Sequence, residues 1–245
     1  MANPRIYTPV PLLDGETLQL DAAASRHLAS ALRLQVGDRV TLFNGGGGEY
    51  SAHIHSIERK QVSVRIGAYN AREAESILDI HLGIAISRGE RMDWIIQKST
   101  ELGVSAIFPL FSERCEVKLS GERAAKRLHH WQQVAISACE QSGRNRVPNI
   151  AAPQPLGEWC AETRAEVKLV LHHRAGPVEQ GPQFAFTTAL LIGPEGGLTG
   201  AEIALAENLG FIPLALGPRV LRTETAPLAA IAILQARWGD MGQAG

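Results

Sequence analysis

Leu190-Leu191-Ile192-Gly193-Pro194-Glu195-Gly196-Gly197-Leu198, followed by Thr199, is an apolar run that ends in glycine and gives way to a helix start. Its first half reads as a strand buried on both faces, as in parallel sheets, and Thr199 with Glu202 three residues on fits a capping box. Glycines strip the intervening loop of side chains, so a flat ring or a ribose can come against bare backbone N–H and C=O groups. A tight turn that needs positive φ is the other reading of the same glycines. The next strand repeats the arrangement. Leu216-Gly217 closes it, Pro218-Arg219-Val220-Leu221-Arg222-Thr223-Glu224-Thr225-Ala226 follows, and Pro227 falls in the first turn of a helix that Thr225 caps. Two successive strands thus end in a glycine at one edge, the edge where open parallel sheets bind ligands. Neither loop carries the Gly-x-x-x-x-Gly-Lys-Ser/Thr or Gly-x-Gly-x-x-Gly pattern that cradles phosphates. Backbone amides and carbonyls walled by Leu191, Leu216 and Leu221 suit a neutral adenine better than a triphosphate.

Outward from these loops the chain alternates strand and helix. Ile80-His81-Leu82-Gly83-Ile84-Ala85-Ile86 is an apolar run of strand length, and Met92, Ile95, Ile96 and Leu102 fall on one helical stripe that Gly103 stops before a strand to Leu110. A longer helix carries Leu128, Trp131, Ala135, Ala138 and Cys139 on its apolar face. Val167–His172, Ala189–Gly193 and Phe211–Leu216 read as further strands, with helices from near Ala201 and Pro227. Such alternation implies an α/β domain with a mostly parallel sheet and helices on both faces. Trp94, Trp131 and Trp238 lie on helical segments and read as core. Before Ile80 the rhythm differs. From Val40 to Ile66, short apolar runs broken by Asn44-Gly45-Gly46-Gly47-Gly48 and Glu58-Arg59-Lys60-Gln61 read as antiparallel strands with tight turns, and Asp21 caps a short helix through Leu32. The expected organisation is a small β domain over residues 1–70, a polar linker over 71–79 and the α/β domain over 80–245.

Composition narrows the classes of function. Hydrophobic residues make up 45% and charged residues 20% of the 245 positions, an ordinary globular balance that excludes a disordered chain or a coiled coil. No apolar segment is long enough to cross a bilayer and the N-terminus does not read as a signal peptide, so the expected location is cytoplasmic. Cys115, Cys139 and Cys160 are far apart, with neither disulfide nor metal-ligand spacing. The net charge of −1 confines any nucleic-acid contact to a local patch. Residues 80–146 hold ten Lys/Arg against seven Asp/Glu, whereas 151–245 hold six against nine, so positive charge leans toward the first two-thirds of the chain.

The two loops, 191–198 and 216–226, closely resemble those of the bacterial RsmE family, the 16S ribosomal RNA uridine-N3 methyltransferases of the SPOUT superfamily. Ser87-Arg88-Gly89-Glu90-Arg91-Met92, the segments 97–104 and 112–119, and Ala138-Cys139-Glu140-Gln141-Ser142-Gly143-Arg144-Asn145-Arg146-Val147-Pro148 resemble the same family, so the likeness covers nearly the whole chain. The N-terminal unit matches more loosely, through Pro4-Arg5-Ile6 and His27 to Gly37-Asp38. The resemblance implies a PUA-like β-barrel, a trefoil-knotted parallel-sheet domain that binds S-adenosyl-L-methionine, a homodimer, no metal, and 16S rRNA or the small ribosomal subunit as partner. A non-catalytic RNA-binding ribosome-assembly protein and an adenine-nucleotide-binding metabolic enzyme are the alternatives.

On that reading the cofactor is expected against Leu171 and His172, with His173 beside them, against Leu191, Ile192, Gly193, Pro194, Glu195 and Gly196, and against Leu216, Gly217, Leu221, Arg222, Thr223, Thr225 and Ala226. N3 of uridine carries a proton that must leave, so a base or a cation facing the uracil ring is required. Arg222 is the candidate for stabilising charge and Glu224 for accepting the proton or orienting the arginine; an ion pair that only braces the loop is the alternative. Phosphate contacts are expected from Arg5, Arg33, Arg88, Arg114, Arg144 and Arg146, each of which is otherwise a solvated surface group; His27 is expected to stack on or bond to RNA, a structural role being its alternative.

Overall fold

The computed structural model describes residues 3–172 and 184–242, which form two compact units. The first comprises Met1–Glu75 together with Cys139–Val147, a return that no contiguous division of the chain describes. It is built on five strands, β1 (Arg5–Tyr7), β2 (Thr17–Gln19), β3 (Arg39–Phe43), β4 (Glu49–Glu58) and β5 (Gln61–Asn70), in the order β1-β3-β4-β5-β2. Strands β4 and β5 form a hairpin closed at Arg59 and Lys60, whose φ angles of 48° and 71° supply the backbone that a tight two-residue turn demands. Alternate residues Ala52, Ile54, Val62, Val64 and Ile66 turn inward onto Leu28, Val40 and Leu42. Asp21 caps α1 (Ala22–Arg26) by accepting the amides of Ala23 and Ala24 at 2.8 and 2.7 Å. The expected helix through Leu32 continues not as α-helix but as a π-helical turn, His27–Ala31.

A buried polar network closes this unit. The Glu75 carboxylate accepts Nε and Nη2 of Arg144 at 3.0 and 2.6 Å and the amides of Asn145 and Arg146 at 3.1 and 3.0 Å. Arg5 pairs with Glu49 and donates to Asn145 Oδ1 at 2.5 Å and to the Arg144 carbonyl at 3.2 Å. Arg144 is 4% exposed and Asn145 wholly buried, because donors with so many internal acceptors gain nothing from water. Two of the arginines expected to meet phosphate are therefore committed internally. Of the expected polar linker over 71–79, residues 71–78 form neither helix nor strand and Asp79 already opens a strand; Glu75 lies in this network and Leu78, in the second unit, is fully buried.

The second unit, Ser76–Ala138 and Pro148–Gly245, is α/β. Its strands are β6 (Asp79–Ala85), β7 (Ala106–Phe111), β8 (Asn149–Ile150), β9 (Gln154–Pro155), β10 (Val167–Leu171), β11 (Thr187–Ile192) and β12 (Ile212–Leu214). They run in the order β12-β10-β11-β6-β7-β8, with β9 also on β7, and every pairing is parallel. The helices are α2 (Glu90–Glu101), α3 (Gly121–Ser142), α4 (Leu156–Glu162), α5 (Gly200–Asn208) and α6 (Thr225–Trp238), the last turn of α3 belonging to the first unit. The central strands β6 and β11 are buried almost throughout, as a sheet covered on both faces requires. Trp131 and Trp238 are core, as expected, whereas Trp94 is half exposed with Lys98 Nζ over its ring at 5.1 Å. Trp159 on α4 is buried against Gly83, where a Cβ would come within 2.5 Å of the indole.

Arg144→Ala removes the cation from a nearly buried pair and leaves the Glu75 carboxylate undercompensated, a loss on the order of 3 kcal/mol. Urea denaturation of the full chain should show a correspondingly lower midpoint; a midpoint equal to the parent's would mean that the pair contributes nothing to stability.

Candidate functional site

Parallel pairing brings the carboxyl ends of β10, β11 and β12 to one edge, and a cavity of about 420 Å³ opens there. That lies within the size range of small-molecule sites. Its walls come from both glycine loops. Gly193-Pro194-Glu195-Gly196-Gly197-Leu198 supplies one side and Leu216-Gly217, Arg219-Val220-Leu221, Thr223 and Ala226 the other. Leu171, His172 and Leu214 line the cavity from the strand ends. Ile192, Gly200 and Ile203 complete it.

The loop after β11 is shaped by its own bonds. Gly197 donates to the Pro194 carbonyl at 2.8 Å, making a tight turn. A Cβ on Gly193 would lie 2.8 Å from the Leu198 amide nitrogen, so this glycine is required by the loop folding back on itself. Thr199 and Glu202 form the expected capping box, the Thr199 amide donating to Glu202 Oε2 at 2.8 Å and Glu202 N to Thr199 Oγ1 at 3.2 Å. The other oxygen of Glu202 accepts the Glu113 amide at 2.7 Å, which fixes the loop after β7. Arg114, next in that loop, donates to the Gly196 carbonyl at 2.8 Å and joins the cavity wall. In the second loop Gly217 has φ of +93°, a conformation that favours glycine.

Most residues expected around a cofactor meet here, and three do not. Leu191 is fully buried in the hydrophobic cluster formed with α4 and α5, because alternation along β11 turns it to that face of the sheet. Arg222 and Thr225 do not line the cavity. Helix α6 begins one residue earlier than expected, with Glu224 at its cap position and no side-chain cap bond, so Thr225 is already helical. The Arg222 side chain is 85% exposed, with Nη1 4.0 Å from Glu224 Oε1, and neither residue lines this cavity. The Arg222 carbonyl accepts the amides of Thr225 and Ala226. His173 lies outside the described residues. Gly197, Leu198, Gly200, Ile203, Leu214, Arg219 and Val220 also line the cavity without having been named as cofactor residues, although Gly197, Leu198, Arg219 and Val220 sit within the two loops that were.

A second cavity, of about 510 Å³, adjoins the first and shares Arg114, Glu195 and Gly196 with it. Its remaining walls are Arg88, Arg91, Glu113, Cys115 and Glu116. Arg88 pairs with Glu116, and Glu195 Oε1 accepts Arg91 Nη1 at 2.9 Å and the Arg88 amide at 3.4 Å. Partial burial works to raise the pKa of Glu195, but backbone N–H bonds, its own included, and the Arg91 guanidinium outweigh it and hold the carboxyl below its ordinary range. Glu195 is thus ionised at neutral pH. Of the other expected RNA contacts, His27, Arg33 and Arg146 are exposed on the first unit. Among the described residues no three His, Cys, Asp or Glu side chains come together as a metal-ligand set.

A family model described as an RNA methyltransferase domain matches residues 74–235, and one described as an RNA methyltransferase PUA domain matches residues 20–67. The chain is 38% identical over 240 residues to the ribosomal RNA small subunit methyltransferase E of Buchnera aphidicola subsp. Schizaphis graminum, covering 97% of this chain and 98% of that one. It is 30% identical to the protein of the same name from Bacillus subtilis, over 90% of each. Among solved structures it is similar to a methyltransferase from Legionella pneumophila in complex with the bound cofactor SAM, with 45% identity and a TM-score of 0.94 over 98% of this chain and 100% of the other. A ribosomal RNA small subunit methyltransferase E from Neisseria gonorrhoeae bound to S-adenosyl methionine shares 42% identity, with a TM-score of 0.91 over the same shares.

Burial pushes the Cys139 and Cys160 thiols up to about 12, with opposite charges nearby offsetting little of it, while Cys115 is half-buried in the wall of the second cavity. An aromatic disulfide reagent at about pH 8 should modify Cys115 alone in the native chain, since only thiolates react. Release of more than one equivalent before unfolding would contradict this burial.

Proposed function

The chain belongs to the family of ribosomal RNA small subunit methyltransferase E proteins, and on that premise we propose that it methylates N3 of a uridine in 16S ribosomal RNA with S-adenosyl-L-methionine as donor. The observation that carries this reading is the cavity at the carboxyl edge of β10, β11 and β12, walled by two glycine loops. Its residues fit the donor. Main chain at Gly193, Gly196, Gly197 and Gly217 meets an adenine and a ribose without side chains of its own in the way, while Leu171, Leu214, Leu216 and Leu221 supply apolar surface for the ring. Leu191, expected among these walls, instead packs in the hydrophobic cluster with Trp159 and Ala206.

Bound there, the donor supplies a methyl group on a positively charged sulfur, an electrophile that needs no further activation. What the chain adds is orientation, exclusion of water by the apolar walls, and electrostatic control of the acceptor nitrogen. His27, Arg33 and Arg146, exposed on the first unit, are candidates for contact with RNA, and residues 20–67 of that unit match a PUA domain model. The partner is then 16S rRNA or the small subunit, the assembly a homodimer and the location the cytoplasm. Among the described residues no helix is long and apolar enough to cross a membrane.

Small ribosomal subunits from cells lacking the gene, incubated with the purified chain and labelled S-adenosylmethionine, should gain one methyl group, mapped by mass spectrometry to N3 of a uridine in the 16S RNA. Gly217→Val, which forces a β-branched residue into a left-handed conformation, should weaken donor binding in calorimetry by about tenfold or more without unfolding the protein. Absence of donor binding by the parent chain would favour a non-catalytic RNA-binding role, and methyl transfer to a small molecule without RNA would favour a metabolic enzyme.

A further inference from the structure

The wall of the second cavity holds three carboxylates, those of Glu113, Glu116 and Glu195, against three cations, but the charges do not all pair off. Three guanidinium groups stand in its wall, those of Arg88, Arg91 and Arg114. Arg88 is matched by Glu116 and Arg91 by Glu195. Among the described residues Arg114 forms no ion pair; its guanidinium meets only the neutral carbonyl of Gly196, at 2.8 Å. Arg114 is also one of the three residues common to both cavities, so its charge stands at their junction. The loop that carries it is anchored, because the preceding amide, that of Glu113, is held by the Glu202 carboxylate at the start of α5. A preorganised cation at such a junction is placed to act on charge that develops during a reaction, since it need not reorganise to do so.

We propose that the second cavity is the acceptor-nucleotide subsite and that Arg114 is a catalytic residue, its guanidinium hydrogen-bonded to a carbonyl oxygen of the target uracil. The proposal rests on the methyltransferase reading above. As N3 of uracil gives up its proton, negative charge spreads from the nitrogen onto the flanking carbonyl oxygens. The planar fork of an arginine offers donors to such an oxygen and a charge that favours the anion. The step forms the N3–CH3 bond and breaks the S–CH3 bond, whose electron pair stays on sulfur, and the N3 proton passes to solvent water through the open mouth of the cavity. The ring leaves neutral, so the cation at Arg114 is needed only while the anion exists. Glu195 lines both cavities as well, but its charge is matched by Arg91, and it serves as a positioning residue that orders the loop after β11.

The test compares the full-length parent, Arg114→Ala and Arg114→Lys on small ribosomal subunits that lack the modification, with three measurements for each: kcat as a function of pH, affinity for S-adenosylmethionine by calorimetry, and affinity for the subunits by filter binding. Arg114→Ala is expected to lower kcat by about 100-fold. Loss of the cation raises the pKa of the bound uracil, so the rise of kcat with pH should move upward by at least about one pH unit, and Arg114→Lys should recover part of both effects. Affinities for the donor and for the subunits should stay within about threefold of the parent's. A tenfold loss of donor affinity with an unmoved pH profile would overturn the proposal by assigning Arg114 to the donor's carboxylate. A tenfold loss of subunit affinity with kcat and profile unchanged would overturn it by assigning Arg114 to an RNA phosphate. A parent chain that transfers no methyl group would overturn the methyltransferase reading itself, and the role of Arg114 with it.

Discussion

The carboxylate of Glu202 is the interaction on which the site's construction depends. One of its oxygens takes the amide of Thr199 and the other takes the amide of Glu113, so a single side chain closes the capping box of α5 and pins the loop that follows β7. Everything beside the cavities follows from this double acceptance. The start of α5 fixes where the glycine loop must end, and the anchored Glu113 fixes where Arg114 must stand relative to Gly196. A carboxylate that accepts a backbone N–H on each of its oxygens is held in place from two elements, which makes it a stiffer joint than an exposed ion pair. Glu195 is held in the same manner by Arg91 and the Arg88 amide, so the loop is clasped on two sides.

Much of the fold was legible because it rests on period and punctuation. Buried parallel strands announce themselves as unbroken apolar runs, and Thr199 with Glu202, Asp21 and Gly103 marked helix ends where they occur. What escaped was short. Helix α4 spans seven residues and strands β8 and β9 two each, lengths over which neither helical nor strand period can be established. Trp159 on α4 was invisible for another reason: it fits because position 83, seventy-six residues earlier, has no side chain, and no local pattern records that.

The site was legible to a similar depth. Loops that end neighbouring strands at one edge were enough to identify the cavity's walls, but not the direction in which each residue faces. Leu191 lies on the strand itself and faces the core, and Arg222 lies on the right loop yet turns to solvent. Charged residues were the hardest to read. Arg5, Arg88, Arg114 and Arg144 look alike in sequence, yet Arg144 is buried on Glu75, Arg5 is shared between Glu49 and Asn145, Arg88 is paired with Glu116, and Arg114 alone of the four has no carboxylate partner among the described residues. The difference lies wholly in which acidic residues the fold brings near, and sequence separation hides them.

The first unit draws its closing piece, Cys139–Val147, from far along the chain. During synthesis the ribosome releases Arg5, Glu49 and Glu75 well before Arg144 and Asn145 emerge. The strands of this unit can pair early, but their polar seam stays open to water until translation has passed residue 147. The N-terminal fragment is therefore an incomplete folding unit for the time it takes to make some seventy further residues, and its consolidation is timed by elongation and not by its own position at the front of the polypeptide.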